Sequence, residues 1–196
     1  MTTPTTAPPA GRIMLRNVRL SFPNLFTPTI VGDDASAKPR YSAMLILPLD
    51  HPQLAEVGAK MFAVAKEKWA AKVAEVYKGL DKSDKLALHD GDTKSQYDGV
   101  GGNWFISAAA KESTRPTVID ANKSPLTERD GRPYAGCYVN ASLDFWAQDN
   151  GFGKRINAQL RGIQFLRDGD AFAAGRPADS DEFEDVVEGA DAGDIA

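Results

Sequence analysis

Tyr138 and Trp146 share the polar side of a stretch whose alternate positions are Cys137, Val139, Ala141, Leu143 and Phe145. Large π-faces on the wet side of an alternating strand can stack flat heterocycles. The chain then runs Asp149-Asn150-Gly151-Phe152-Gly153-Lys154-Arg155, one aromatic and two adjacent cations at a Gly-rich turn. The same mixture recurs elsewhere. Tyr97, Phe105 and Tyr134 fall on expected wet strand faces or in loops, interleaved with Lys38, Arg40, Lys94, Lys111, Arg115, Arg129 and Arg132. Stacking contributes ~1–3 kcal/mol per base and tolerates any sequence, while cations neutralise phosphates and make binding salt-dependent. These residues therefore predict a surface for unpaired nucleic-acid strands.

Other chemistry is thinly represented. The two histidines, His51 and His89, have no second His or Cys at metal-ligand spacing. His89-Asp90-Gly91-Asp92 lacks the ligand series of a calcium loop and reads as a solvated turn. Gly99-Val100-Gly101-Gly102 has no Lys-Ser/Thr ending and precedes a strand, so it is not a phosphate cradle of the P-loop kind. Cys137 falls on an apolar strand face, where burial raises a thiol pKa and suppresses nucleophilicity. No catalytic residue, metal or cofactor is assigned, and the expectation is a binding protein rather than an enzyme. A magnesium-dependent nuclease using Asp90 and Asp92 is the enzyme rival.

The elements that must position the rings and cations are mainly strands. Residues 12–22 read as strand one and 41–47 as strand two, followed by a helix over 52–78. Leu54, Val57, Met61, Ala65, Trp69, Val73 and Val76 give that helix a buried stripe, with Trp69 as a core plug and Gly79 at its end. Residues 80–100 are polar and turn-rich and are expected to be mobile. Strand three covers 103–111, with Phe105 and Lys111 assigned to the wet face, and 115–120 reads as an edge strand. Two long strands joined by the hairpin fill 132–170, with a bulge at Gly162. About five strands and one prominent helix predict a mainly β protein, an OB-fold-like five-stranded barrel with the helix between strands two and three.

The 196 residues carry a net charge of −4, unevenly spread. From Asp179 onward there are eight acidic residues and no Lys or Arg, which leaves 23 basic against 19 acidic residues, a net of +4, in the remainder. The expected organisation is a disordered Thr/Pro/Ala-rich arm over 1–10, one domain over 11–177 and an acidic tail over 178–196. Such a tail can compete with DNA for the basic surface, and Asp181, Glu182, Phe183, Glu184 and Asp185 are the expected partner-binding segment. The start of the chain has neither a basic n-region nor an apolar h-region, and no apolar run reaches the ~20 residues of a membrane span. Cys137 is the single cysteine and has no intramolecular partner, so a cytoplasmic, disulfide-free protein is expected.

Several blocks are also familiar together. Asn17-Val18-Arg19-Leu20-Ser21-Phe22-Pro23-Asn24-Leu25-Phe26, Lys38-Pro39-Arg40-Tyr41-Ser42-Ala43, Tyr134 to Ala141 and Leu160 to Gly169 occur in order. They resemble a phage family long carried as a domain of unknown function, whose members are understood as single-stranded DNA-binding proteins. The resemblance covers roughly residues 12–170. It implies an OB-fold that coats single-stranded DNA in replication and recombination within the bacterial host, with an acidic C-terminus contacting phage or host replication proteins. Tails of many counterparts end in an aromatic residue, whereas this one ends Asp194-Ile195-Ala196. The binding-class rival is a strand-annealing recombination protein, and the structural rival is a phage assembly protein.

Overall fold

The computed structural model describes residues 8–30 and 37–172. Seven strands, β1 (Arg12–Thr29), β2 (Arg40–Pro48), β3 (Leu88–Asp90), β4 (Asn103–Lys111), β5 (Thr117–Ile119), β6 (Tyr138–Asn150) and β7 (Gly153–Arg167), form one sheet. Its order is β3-β4-β2-β1-β6-β7-β5, and a parallel β4–β7 pairing joins β4 to β7. Strands β1, β2, β4, β7 and β6 thus close into a five-stranded OB-like barrel. Helices α1 (Leu54–Trp69) and α2 (Val73–Lys82) lie between its second and third barrel strands, β2 and β4.

Period-two alternation explains the closure. Tyr41, Ala43, Leu45 and Leu47 point inward from β2, and Val139, Ala141, Leu143 and Phe145 do so from β6. They meet Leu15, Val18 and Leu20 of β1, Ile106 and Ala108 of β4, and Ile156, Ala158 and Leu160 of β7. Val57, Met61, Val64 and Ala65 add the buried stripe of α1 to the same core. The bulge in β7 falls beside Gly162: Ser142 pairs with Gly162 and Leu143 with Leu160, leaving Arg161 as the extra residue.

The helical segment differs from its sequence reading. It is broken at Ala70, whose φ of +43° turns the chain between α1 and α2. It also passes through Gly79 and ends at Lys82, where both the backbone N–H and the Oγ of Ser83 donate to the Gly79 carbonyl. Trp69 is half-buried against the core rather than enclosed by it, and its Nε1 donates to Asp149 Oδ2 at 2.8 Å, tying α1 to the β6–β7 hairpin. Residues 80–100 are more ordered than their polarity implies. They supply the end of α2, β3 along the edge of β4, and a 3-10 turn over Gly91–Lys94.

A second, smaller apolar cluster covers part of the barrel's outer surface. Met44 and Ile46 of β2 and Phe105 of β4 are buried there beneath Val100 and Phe172. The expectation that Phe105 faces water is therefore corrected: its ring is 2 % exposed, stacked on His89 at 5.1 Å, with Lys94 Nζ 5.1 Å from its centroid. Phe172 is brought in by the segment after β7, which runs so close to Gly136 (φ +103°) that a Cβ would collide with the Asp170 carbonyl.

Candidate nucleic-acid interface

At the Arg40 end of β2, the outer positions not covered by the second cluster are Arg40 and Ser42. Directly opposite them on β4 stand Lys111 and Ala109. Arg40 and Lys111 are thus cross-strand partners of like charge, both exposed, and neither is ion-paired with a described residue. Like charges directly opposed destabilise a ladder, and an anion between them relieves the repulsion.

Two hollows flank this pair. One, of about 380 Å³, is bounded by Phe22, Asn24, Ser42, Lys94, Tyr97 and Ser107. Its ring wall comes from Phe22, whose φ of +47° accompanies a register shift in β1 after Ser21. The exposed Phe22 and Tyr97 rings meet edge to face at 4.9 Å and 81°. The other hollow, of about 350 Å³, lies between Arg40, Lys111, Thr114, Trp146 and Gln159. Trp146 is 45 % exposed because its neighbour Phe145 takes the inward position of β6. Lys38 joins Arg40 and Lys111 around an adjoining recess.

Beyond Trp146 the same face continues along the hairpin. Trp146 pairs with Asn157 and Gln148 with Arg155, so alternation places Arg155 on the Trp146 side. Lys154 turns to the other side, where its Nζ lies 3.6 Å from Asp149 Oδ1. The Trp69 hydrogen bond, aided by Lys154, holds the Asp149 carboxyl below its ordinary pKa. The result is one track: Phe22 and Tyr97, then Lys94, then Arg40, Lys111 and Lys38, then Trp146, then Arg155. It can stack flat rings at its aromatic stations and hold a polyanion between them.

The remaining expected site residues lie elsewhere. Tyr134 is half-buried, with its hydroxyl 3.0 Å from Asp168 Oδ1 and from the Gly169 carbonyl, and burial raises its phenol pKa. Arg132 pairs with Asp168 at 3.1 Å and lies 5.0 Å from the Phe165 ring. Tyr138 is overlain by the Arg167 guanidinium at 3.4 Å, so its ring face is already occupied. Arg115 lies 6.0 Å from the Phe26 ring. Phe152 lies at the hairpin tip with its side chain open to water. Asp181, Glu182, Phe183, Glu184 and Asp185 lie outside the described residues.

The groups weighed for catalysis have structural partners. Asp90 Oδ1 accepts from Asp92 N–H and Asp92 Oδ1 from Gly102 N–H, closing the 90–103 loop. His51 is buried, with Nε2 3.0 Å from the Arg16 carbonyl and Nδ1 accepting from Gln53 N–H. Burial pushes the Cys137 thiol up to about 11, which keeps it protonated at neutral pH. Among the described residues no three His, Cys, Asp or Glu gather as a metal site, and no helix is long and apolar enough to cross a membrane.

Residues 11–195 match the family described as the ssDNA-binding protein of Enterobacter phage Enc34. The chain belongs to this family. A solved structure of the Enc34 single-stranded DNA-binding protein in complex with ssDNA is 31% identical, with a TM-score of 0.61 over 84% of this chain and 91% of that one. Protein p50 of Acyrthosiphon pisum secondary endosymbiont phage 1 is 46% identical over 89% of this chain and 94% of its own. The single-stranded DNA-binding protein gp2.5 of bacteriophage T7 shares the fold, with a TM-score of 0.54 at 14% identity over 89% of this chain and 98% of that one.

Within this member of the Enc34 family, sequence reasoning missed Phe22 as a track residue. Its position in Ser21-Phe22-Pro23-Asn24 was the available signal, since a proline after an aromatic breaks strand pairing and frees the ring.

Proposed function

We propose that this chain is a non-catalytic phage single-stranded DNA-binding protein that covers unpaired strands without sequence preference in the host cytoplasm. The observation that carries this reading is the Arg40–Lys111 cross-strand pair, exposed, like-charged and lying between the Phe22–Tyr97 rings and Trp146. Phosphates lie along Lys38, Arg40, Lys94, Lys111 and Arg155, and bases stack on Tyr97, Phe22 and Trp146. Stacking carries no base preference because every base presents a π-face. The binding unit is residues 11–177, flanked by the arm over 1–10 and the acidic tail over 178–196. The tail competes with DNA for the track when DNA is scarce and is released to contact replication or recombination proteins when DNA is bound.

Fluorescence anisotropy with labelled oligo-dT tests both parts, using the full chain and a chain stopped at Ala178 over a range of salt. Binding that weakens with salt, and that tightens at low salt when the tail is removed, is the expected result. Failure of both forms to bind at low salt overturns the reading. Equal affinities of the two forms overturn the tail's competition alone.

A further inference from the structure

Phe152 has the greatest exposure of any large apolar side chain among the described residues, at 94 %. It occupies the two-residue tip between Asn150 and Gly153, with the exposed cations Lys154 and Arg155 directly behind it. The tip is braced: Phe152 N–H donates to Asn150 Oδ1 at 3.0 Å, and Asp149 is held by Trp69 and Lys154. An open ring carried on a hydrogen-bonded turn, with cations directly behind it, has the form of an interface anchor.

The opposite end of the track has the complementary form. On the far side of the Phe22–Tyr97 pair lies a hollow of about 650 Å³, the largest of those along this surface, walled by Pro133, Tyr134, Ala135 and Phe172. Its lining includes Asp98 and no Lys or Arg, and the exposed Asp170 lies two residues from Phe172; Arg19, 4.5 Å from the Phe172 ring, donates to the Gly136 and Asp170 carbonyls. A mainly apolar hollow with two carboxylates and one carbonyl-bonded arginine around it suits an aromatic ring flanked by cations better than it suits a phosphate.

We propose that Phe152 of one copy seats in this hollow of the next copy along the same DNA strand. The proposal rests on the DNA-binding reading above. Tip and hollow lie at opposite ends of the track, so the contact is head-to-tail; it does not close on itself, and it propagates along a linear lattice. One aromatic side chain buries only about 150–250 Å², far short of the roughly 1,000 Å² of a stable interface. The contact therefore forms when two copies share a strand, which raises their mutual concentration, and not in free solution.

The test uses the full chain, F152A and D170K, with oligo-dT of ~10 and ~60 nucleotides, the shorter chosen to hold about one copy. Phe152 is open to water and off the track, so F152A keeps the fold and binds the short oligonucleotide within about twofold of the parent. On the long one it loses about tenfold, the size expected when a phenyl ring loses its pocket. D170K shows the same loss restricted to the long strand. A benzoylphenylalanine at position 152 crosslinks on long DNA to peptides containing Pro133–Ala135 or Phe172 of a second copy. Equal long-strand binding by parent and F152A, or crosslinks to DNA alone, overturns the proposal while leaving DNA binding in place. No binding of either oligonucleotide removes the underlying reading, and this proposal with it.

Discussion

Replacing Trp146 with alanine isolates stacking from charge. The indole lies on the outer face of β6, 45 % exposed, while the adjacent Phe145 holds the core position. W146A therefore costs about 1 kcal/mol of stability or less, as surface truncations do. It removes one stacking platform beside Arg40 and Lys111, and hence ~1–3 kcal/mol of binding. At 1.4 kcal/mol per decade the affinity for oligo-dT falls by about 5- to 150-fold. No charge is lost, so the slope of log affinity against log salt stays at the parent value. K111Q gives the opposite signature, a slope smaller by about 0.7 for one phosphate contact to a single strand. Anisotropy titrations at several salt concentrations read both quantities. Tryptophan fluorescence adds a check, because Trp69 and Trp104 are half-buried and Trp146 is the exposed indole of the three: DNA quenches the parent, and the quench largely disappears in W146A. A W146A protein that binds within twofold of the parent and retains the full quench refutes the placement of bases on this residue.

The hairpin faces give a second contrast: R155E weakens DNA binding several-fold in anisotropy, while K154E, on the Asp149 side, leaves it within about twofold. Phe105 is a core residue, so F105A lowers unfolding free energy by about 3–5 kcal/mol in denaturant titrations, the range for phenylalanine truncation. Asp144 accepts hydrogen bonds from Arg12 Nε and Nη2, both at 2.8 Å, and from Arg161 Nη1 at 3.0 Å; the Arg12 bond is the main cause of its lowered pKa. A carboxyl whose folded pKa is depressed stabilises the protein in full above its ordinary value of 3.8 and loses that contribution as pH falls through the folded value. D144N therefore costs about 1–3 kcal/mol at pH 7 and flattens the acid limb of the stability profile measured by urea unfolding.

The barrel was legible where one face of a strand alone decides its pattern. Strand β4 occupies the expected residues 103–111, and β6 and β7 form the expected hairpin around Gly151-Phe152. What local pattern did not reveal was cover arriving from far along the chain. Phe105 alternates with Trp104 and Ile106 in a strand that is apolar on both sides, and its cover consists of Val100, Phe172 and β2 residues about 60 positions away. The difference between Lys154 and Arg155 was latent in the sequence, because a two-residue turn puts adjacent residues on opposite faces once the register is known. Tyr138 carried the right polarity for a wet face, but its stacking partner Arg167 comes from β7, across the ladder. The helix end was misplaced because Gly79 commonly terminates helices and here does not: its carbonyl takes both the N–H and the hydroxyl of Ser83, which caps the helix one turn later.

The parallel closure of the barrel is two residue pairs long, Ala108 with Ala158 and Ala109 with Gln159, and β6–β7 pairs over thirteen. This short seam runs beneath the track, since Ala109 and Gln159 both line the hollow beside Trp146. A strand lying from Arg40 and Lys111 to Trp146 touches both banks at once. On the proposed placement of DNA, ligand and seam are thermodynamically linked: DNA is expected to slow amide hydrogen exchange along β4 and β7, and opening of those two pairs to weaken DNA binding by the same coupling free energy by which DNA opposes the opening. On the proposed placement, the barrel's breathing is part of its grip, with the nucleic acid acting as a removable stitch across the gap.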